Sequence, residues 1–191
     1  MSNNMDKIRS QLKTGIKNYF EKMEKDKDSF ISGKSKIPLA IPPYDWKEVW
    51  DSLDSLLSMK TTMDKKVKRF EQLFAKYIGV KYAIMVNSGS SANLLALSIL
   101  SNPVLGEKGI KKGDEIITPA VTWATTVYPI TNVGAIPVFV DVSADDYNID
   151  PEKIEKAISK KTKAIMNVHL LGNPCKMDKI KKIVKDNNLL L

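Results

Sequence analysis

The 191-residue sequence is poor in the side chains that build cross-links and metal centres: it has one cysteine, Cys175, and one histidine, His169. A single cysteine excludes an intramolecular disulfide and suits a reducing compartment. One cysteine with one histidine is too small a ligand set for a nitrogen- and sulfur-ligated metal site. Arginine is almost absent, occurring only at Arg9 and Arg69, so no arginine-rich block exists to grip a phosphate backbone. The net charge of +8 comes from scattered lysines, many flanking helical stretches, which read as solvated faces. No apolar run approaches the roughly 20 residues of a membrane span, and Met1–Arg9 lacks the apolar core of a signal peptide. The expectation is a cytoplasmic protein with neither nucleic acid nor membrane as partner. The sequence also lacks a Walker-type loop, a Ser/His/Asp order and the G-x-G-x-x-G fingerprint, and the last absence argues against a dinucleotide site.

What is present suffices for a packed core, since 43% of residues are hydrophobic. Residues 1–36 form a lysine-rich leader in which Ile8, Leu12, Ile16, Tyr19, Phe20 and Met23 recur at helical spacing. Pro38, Pro42 and Pro43 force an extended arm over Ile37–Tyr44. Asp45 is placed to cap a helix through Trp46, Val49, Trp50, Leu53 and Leu57. A second helix is predicted over Lys65–Tyr77, with Gly79 as its stop. From Lys81 onward short β-type runs alternate with helical ones. Strands are predicted at Ala83–Val86, Glu115–Thr118, Ile136–Val142, Ala164–Leu170 and from Leu189. Helices are predicted from Ser90 or Ser91 to Leu100, over Trp123–Asn132, over Pro151–Ser159 behind Asp150, and over Met177–Asp186. That rhythm specifies a mainly parallel sheet with helices on both faces.

In such sheets ligands sit beyond the carboxyl ends of strands. The rule selects Asn87–Ser91, Pro119–Thr126, Asp141–Ser143 and His169–Pro174, which are expected to converge on one crevice. Gly89, Ser90 and Ser91 open a helix where free N–H groups and hydroxyls can hold an anion, or they form only an N-cap and turn. Trp123 offers a flat apolar face to a ring, or plugs the helix–sheet interface. Asp141 contacts a ligand or caps the turn that follows it. His169 has no general-base partner by spacing and is either a ligand-side residue or a hydrogen-bonded structural one. Cys175, in a loop after a proline, has no feature that activates it.

Six stretches taken in order resemble the DegT-type sugar aminotransferase family of pyridoxal-phosphate (PLP) enzymes. They are Lys65–Glu71, Val86–Asn93 (Val-Asn-Ser-Gly-Ser-Ser-Ala-Asn), Gly113–Pro119, Gly134–Val142, Asn148-Ile149-Asp150 and Val168–Pro174, and the likeness covers about residues 37–191. The resemblance implies the three-layer α/β/α large domain of fold-type I PLP enzymes, incomplete here, with residues 37–191 as its N-terminal part and residues 1–36 as a leader helix and linker. It implies that Gly89, Ser90 and Ser91 cradle the cofactor phosphate, that Trp123 stacks on the pyridine ring, and that His169 lies beside the cofactor as a supporting residue. It implies a nucleotide-linked 4-keto sugar as substrate, in deoxy- or amino-sugar synthesis for surface polysaccharide such as lipopolysaccharide, and a homodimer with its sites at the subunit interface. Ser90–Leu95, the long connector Ser101–Lys112 and the leader resemble the nucleotide-sugar 3-dehydratase branch, in which histidine replaces the Schiff-base lysine. Under this resemblance the residue at the aldimine position lies beyond Leu191, no catalytic residue is expected within the chain, and the chain alone is expected to be inactive. Two other readings are a non-catalytic regulator on the same fold and an autonomous module that binds a phosphorylated ligand.

Overall fold

The structure is a computed structural model, and it describes residues 2–25, 29–38, 40–59 and 62–191. The chain divides into two compact units, residues 1–85 and residues 86–191.

The first unit is helical: α1 (Ser2–Lys25), α2 (Trp46–Leu57) and α3 (Lys65–Ile78). Asp45 starts α2 through a capping box, its carboxylate accepting from Lys47 N–H at 2.7 Å while Glu48 accepts from Asp45 N–H at 2.7 Å. Gly79 ends α3 in the left-handed region, φ 79°, where a side chain would be strained. Helix α1 packs on α2 with its basic stripe. Arg9 pairs with Asp54, Lys13 lies over the rings of Trp46 and Trp50, and Lys17 lies over Trp46. The apolar stripe of α1, with Ile8, Leu12 and Tyr19, is consequently exposed, as are Phe70, Leu73 and Tyr77 on α3.

Residues 83–86 do not form the expected strand. They run on without a ladder partner among the described residues, and Ile84 is exposed. A short apolar run becomes a strand only where a neighbour supplies hydrogen bonds. Here Met85 N–H donates to the Glu71 carboxylate at 2.9 Å.

The second unit is a three-layer sandwich. Strands β1 (Glu115–Pro119), β2 (Ile136–Val140) and β3 (Thr162–Ile165) are all parallel in the order β2-β1-β3. Period-2 alternation divides their side chains between two cores. On one face Ile116 and Ala164 pack with Leu97 of α4 (Gly89–Leu100) and Ile130 of α5 (Ala124–Asn132). On the other, Ile117 and Ile165 pack with Ile154 of α6 (Pro151–Ala157) and with Ile180 and Ile183 of α7 (Met177–Asp186). Each fully buried isoleucine contributes roughly 1.5–3 kcal/mol, and Ile116, Ile117, Ile130, Ile154 and Ile180 are all completely covered.

Two predicted strands are shorter than their apolar runs. Strand β2 stops at Val140, not Val142, because Asp141 turns the chain by accepting from its neighbour Val142 N–H at 2.9 Å and from Lys153 Nζ at 2.9 Å. Val142 then makes only an isolated antiparallel bridge to Ile149. Strand β3 stops at Ile165, not Leu170. Met166 N–H still donates to Ile117 O at 2.8 Å, after which the chain leaves the ladder toward Asn148. The expected strand at Leu189–Leu191 is present as a single parallel bridge from Leu190 to Ala164.

Candidate functional site

The carboxyl ends of the three strands and the starts of α4 and α5 meet at one edge of the sandwich. Ala120 N–H donates to Val140 O at 2.8 Å and Thr118 Oγ1 donates to Met166 O at 3.2 Å. These bonds tie the chain leaving β1 to β2 on one side and to the chain leaving β3 on the other.

Helix α4 opens at Ser88, an extended N-cap whose Oγ accepts from Ser91 N–H at 3.1 Å. Ser91 Oγ donates to Asn87 Oδ1 at 2.6 Å, so that hydroxyl proton is engaged within the turn. The N–H groups of Gly89 and Ser90 have no acceptor among the described residues. A Cβ built on Gly89 would meet nothing within 4 Å, so a ligand can approach the backbone there. No acidic residue occupies the first turn, and the helix dipole favours an anion at this end by about 0.3–1 kcal/mol.

Trp123 is the N-cap residue of α5 and is 77% exposed. It therefore does not plug the helix–sheet interface, which is the plainer of its two sequence readings. The turn that carries it is fixed by Thr126 N–H donating to Trp123 O at 2.9 Å and by Thr122 Oγ1 donating to Thr126 Oγ1 at 2.8 Å.

A residue that sequence reasoning missed joins α4 to α5. Pro129 sits inside α5 and has no N–H, so the carbonyl of Thr125, four residues earlier, loses its helical donor. Asn93 Nδ2 fills that vacancy, donating to Thr125 O at 3.2 Å. The bond holds the N-terminal halves of the two helices side by side, and so sets the free amides of α4 near the start of the helix that Trp123 caps. The signal was present as a proline within the run Trp123–Asn132 and an asparagine within Val86–Asn93.

His169 lies past β3 and is exposed. Its Nδ1 accepts from Cys175 N–H at 3.1 Å, which puts the proton of the neutral ring on Nε2. Cys175 is buried, its thiol donating to Val168 O at 3.0 Å, which marks it as a tether. Asp141 is engaged in an ion pair with Lys153. The Lys153 ammonium, then Val142 N–H, hold its carboxyl below its usual value of 3.8, and the same contact raises the Lys153 ammonium above 10.5. Of the four stretches selected from sequence, three carry open groups (the Gly89 and Ser90 amides, Trp123 and His169) and the Asp141 stretch supplies an ion pair. Among the described residues no cluster of three or more His, Cys, Asp or Glu could hold a metal, and no helix is long and apolar enough to cross a membrane.

A family model described as the DegT/DnrJ/EryC1/StrS aminotransferase family matches residues 45–191. The chain belongs to this family. Within the DegT family it is 44% identical over 155 residues to a GDP-4-keto-6-deoxy-D-mannose 3-dehydratase of Escherichia coli O55:H7, covering 81% of this chain and 39% of that protein. It is 40% identical over 168 residues to a dTDP-4-dehydro-2,6-dideoxy-D-glucose 3-dehydratase of Saccharopolyspora spinosa, covering 88% of this chain and 36% of that protein. Among solved structures, a GDP-4-keto-6-deoxymannose-3-dehydratase with a trapped PLP-glutamate geminal diamine superposes with a TM-score of 0.73 at 45% identity, over 82% of this chain and 40% of its own. The chain thus spans about two fifths of the length of these DegT-family relatives.

Proposed function

We propose that this chain supplies the phosphate- and ring-binding part of a pyridoxal-phosphate site in an enzyme that modifies nucleotide-linked 4-keto sugars. The observation that carries the reading is the pair of helix starts bound together by Asn93: unpaired N–H groups at Gly89 and Ser90 on one, an exposed indole at Trp123 on the other. The open space at Gly89 and the free amides fit a phosphate, and the indole fits a flat heteroaromatic ring. Ser90 adds its hydroxyl to the phosphate contacts, Ser91 shapes the turn through its bonds to Ser88 and Asn87, and His169 stands at the cofactor's side with Nε2–H as a donor. When bound, the cofactor supplies an electron sink for bonds beside an amine. The residues named here bind and orient, and none of them is given a covalent step.

Within this class, removal of the sugar 3-hydroxyl is favoured over amination, because the relatives at 40–45% identity named above are 3-dehydratases. A homodimer and a cytoplasmic setting go with the reading, and the exposed apolar stripes of α1 and α3 offer surface for a second copy. The test has two arms: binding of pyridoxamine 5′-phosphate to this protein by equilibrium dialysis, and incubation of an enzyme of the relatives' full length that contains this chain with pyridoxal phosphate, glutamate and a GDP-linked 4-keto-6-deoxy sugar, followed by mass spectrometry. A product that has lost one oxygen supports dehydration. A product in which an amine replaces the keto oxygen returns the assignment to aminotransfer. Failure of the protein to hold the cofactor overturns the reading.

A further inference from the structure

Asn148 lies in the turn between β2 and α6 and is only 2% exposed, yet its side chain serves a different loop. Its Oδ1 accepts from Leu170 N–H at 3.1 Å. Its Nδ2 donates to Asn173 O at 3.2 Å and, more weakly, to Pro174 O at 3.5 Å. Those partners are the two ends of the loop that follows His169. That loop then closes on the imidazole itself, because Cys175 N–H is the donor to His169 Nδ1. Within itself the loop makes one tight turn, with Gly172 N–H donating to His169 O at 3.1 Å and Asn173 N–H to Leu170 O at 2.9 Å, and the Asn148 amide ties that turn to the rest of the fold. Leu171 is left-handed at φ 53° and wholly exposed, and Gly172 follows at φ 81°, a backbone that persists only where its surroundings impose it.

We propose that Asn148 is the positioning residue of His169. By pinning both ends of the 170–174 loop it places Cys175 N–H on Nδ1, fixes the neutral ring as the Nε2–H tautomer, and leaves Nε2–H as a directed donor without a partner among the described residues. The value of that donor to the protein rests on His169 being a cofactor-side residue. The positioning itself is tested on ligand-free protein, so it stands or falls apart from cofactor binding.

The experiment is amide hydrogen exchange by NMR together with the 15N spectrum of the imidazole, which is unambiguous because His169 is the chain's only histidine. Three proteins are compared: unsubstituted, Asn148→Ala and Asn148→Asp. In Asn148→Ala the Leu170 and Cys175 amides exchange about tenfold faster or more, the strand amides of Ile117 and Ile165 keep their protection, and the ring loses its single tautomer. In Asn148→Asp, which keeps an acceptor and loses the donor, Leu170 stays protected while Cys175 opens. Unchanged exchange at Leu170 and Cys175, or equal acceleration at Ile117 and Ile165, overturns the proposal. So does an Nδ1–H tautomer in the unsubstituted protein, a result that needs no folded variant. Loss of pyridoxamine 5′-phosphate binding by the unsubstituted protein, with the exchange pattern intact, counts against the cofactor reading and leaves the positioning role in place.

Discussion

Asn93 donates to the carbonyl of Thr125 that Pro129 leaves without a helical donor, at 3.2 Å. A sequence defect in one helix is thus repaired by a side chain of the next, and the repair aligns the two helix starts on which the candidate site is built. Asn93→Ala leaves a half-buried carbonyl unpaired, at a cost of about 1–3 kcal/mol. At roughly 2–4 °C per kcal/mol for a chain of this size, thermal denaturation shows a drop of a few degrees or more. In a Pro129→Ala background the helix recovers its own donor, so the same substitution costs less. Equal costs in the two backgrounds would refute the link.

Gly89 separates stability from binding. Nothing lies within 4 Å of a Cβ built there, and alanine is the better helix former. Gly89→Ala therefore leaves the melting temperature unchanged or slightly raised. It weakens binding of pyridoxamine 5′-phosphate, measured by equilibrium dialysis, because the methyl group occupies the approach to the free amides. A loss of stability with binding intact would reverse the assignment.

Trp123 makes the same separation from the side of the ring. The residue is 77% exposed, so Trp123→Ala shifts stability by no more than about 0.5 kcal/mol. Loss of a stacking partner weakens ligand affinity by roughly threefold to tenfold, from about 0.5–1.5 kcal/mol. Trp123→Phe restores part of it. The check is calorimetric titration of the three proteins with pyridoxamine 5′-phosphate.

The Asp141–Lys153 pair sets a pH dependence of stability. Asp141 titrates below 3.8 in the folded chain because Lys153 bonds to it. Its contribution is therefore present above pH 3.8 and is lost as pH falls through the lower folded value. Lys153 titrates above 10.5, so its contribution is present below that pH and is lost as pH rises through the higher folded value. Both groups are exposed, so the effect is small and is screened by salt. In Lys153→Ala the acid limb of a melting-temperature profile is shallower than in the unsubstituted protein. Superimposable acid limbs would show that the pair contributes nothing.

The parallel α/β order, the Asp45 cap and the Gly79 stop were readable from spacing alone, because caps, turn glycines and apolar periods are local signals. The strand at Ala83–Val86 and the far halves of Ile136–Val142 and Ala164–Leu170 were not. An apolar run states only that burial is possible, while a strand also needs a partner at the right register. Trp123 could be placed at a strand end but not shown to be open, since exposure depends on what packs against it. The roles of Asn93 and Asn148 were hidden for another reason. Each bonds a backbone carbonyl or amide 22 to 32 residues away, and no local pattern records such a distance.

The most direct test of the cofactor reading is a 1H–15N titration of the protein with pyridoxamine 5′-phosphate, which carries the phosphate and ring but forms no imine with the chain's many lysines. The expected result is saturable shifts at the Gly89 and Ser90 amides, at the Trp123 indole and at His169, with the amides of α1 to α3 unmoved. Shifts confined to lysine-rich surfaces, or none at Gly89, Ser90 and Trp123, would contradict it.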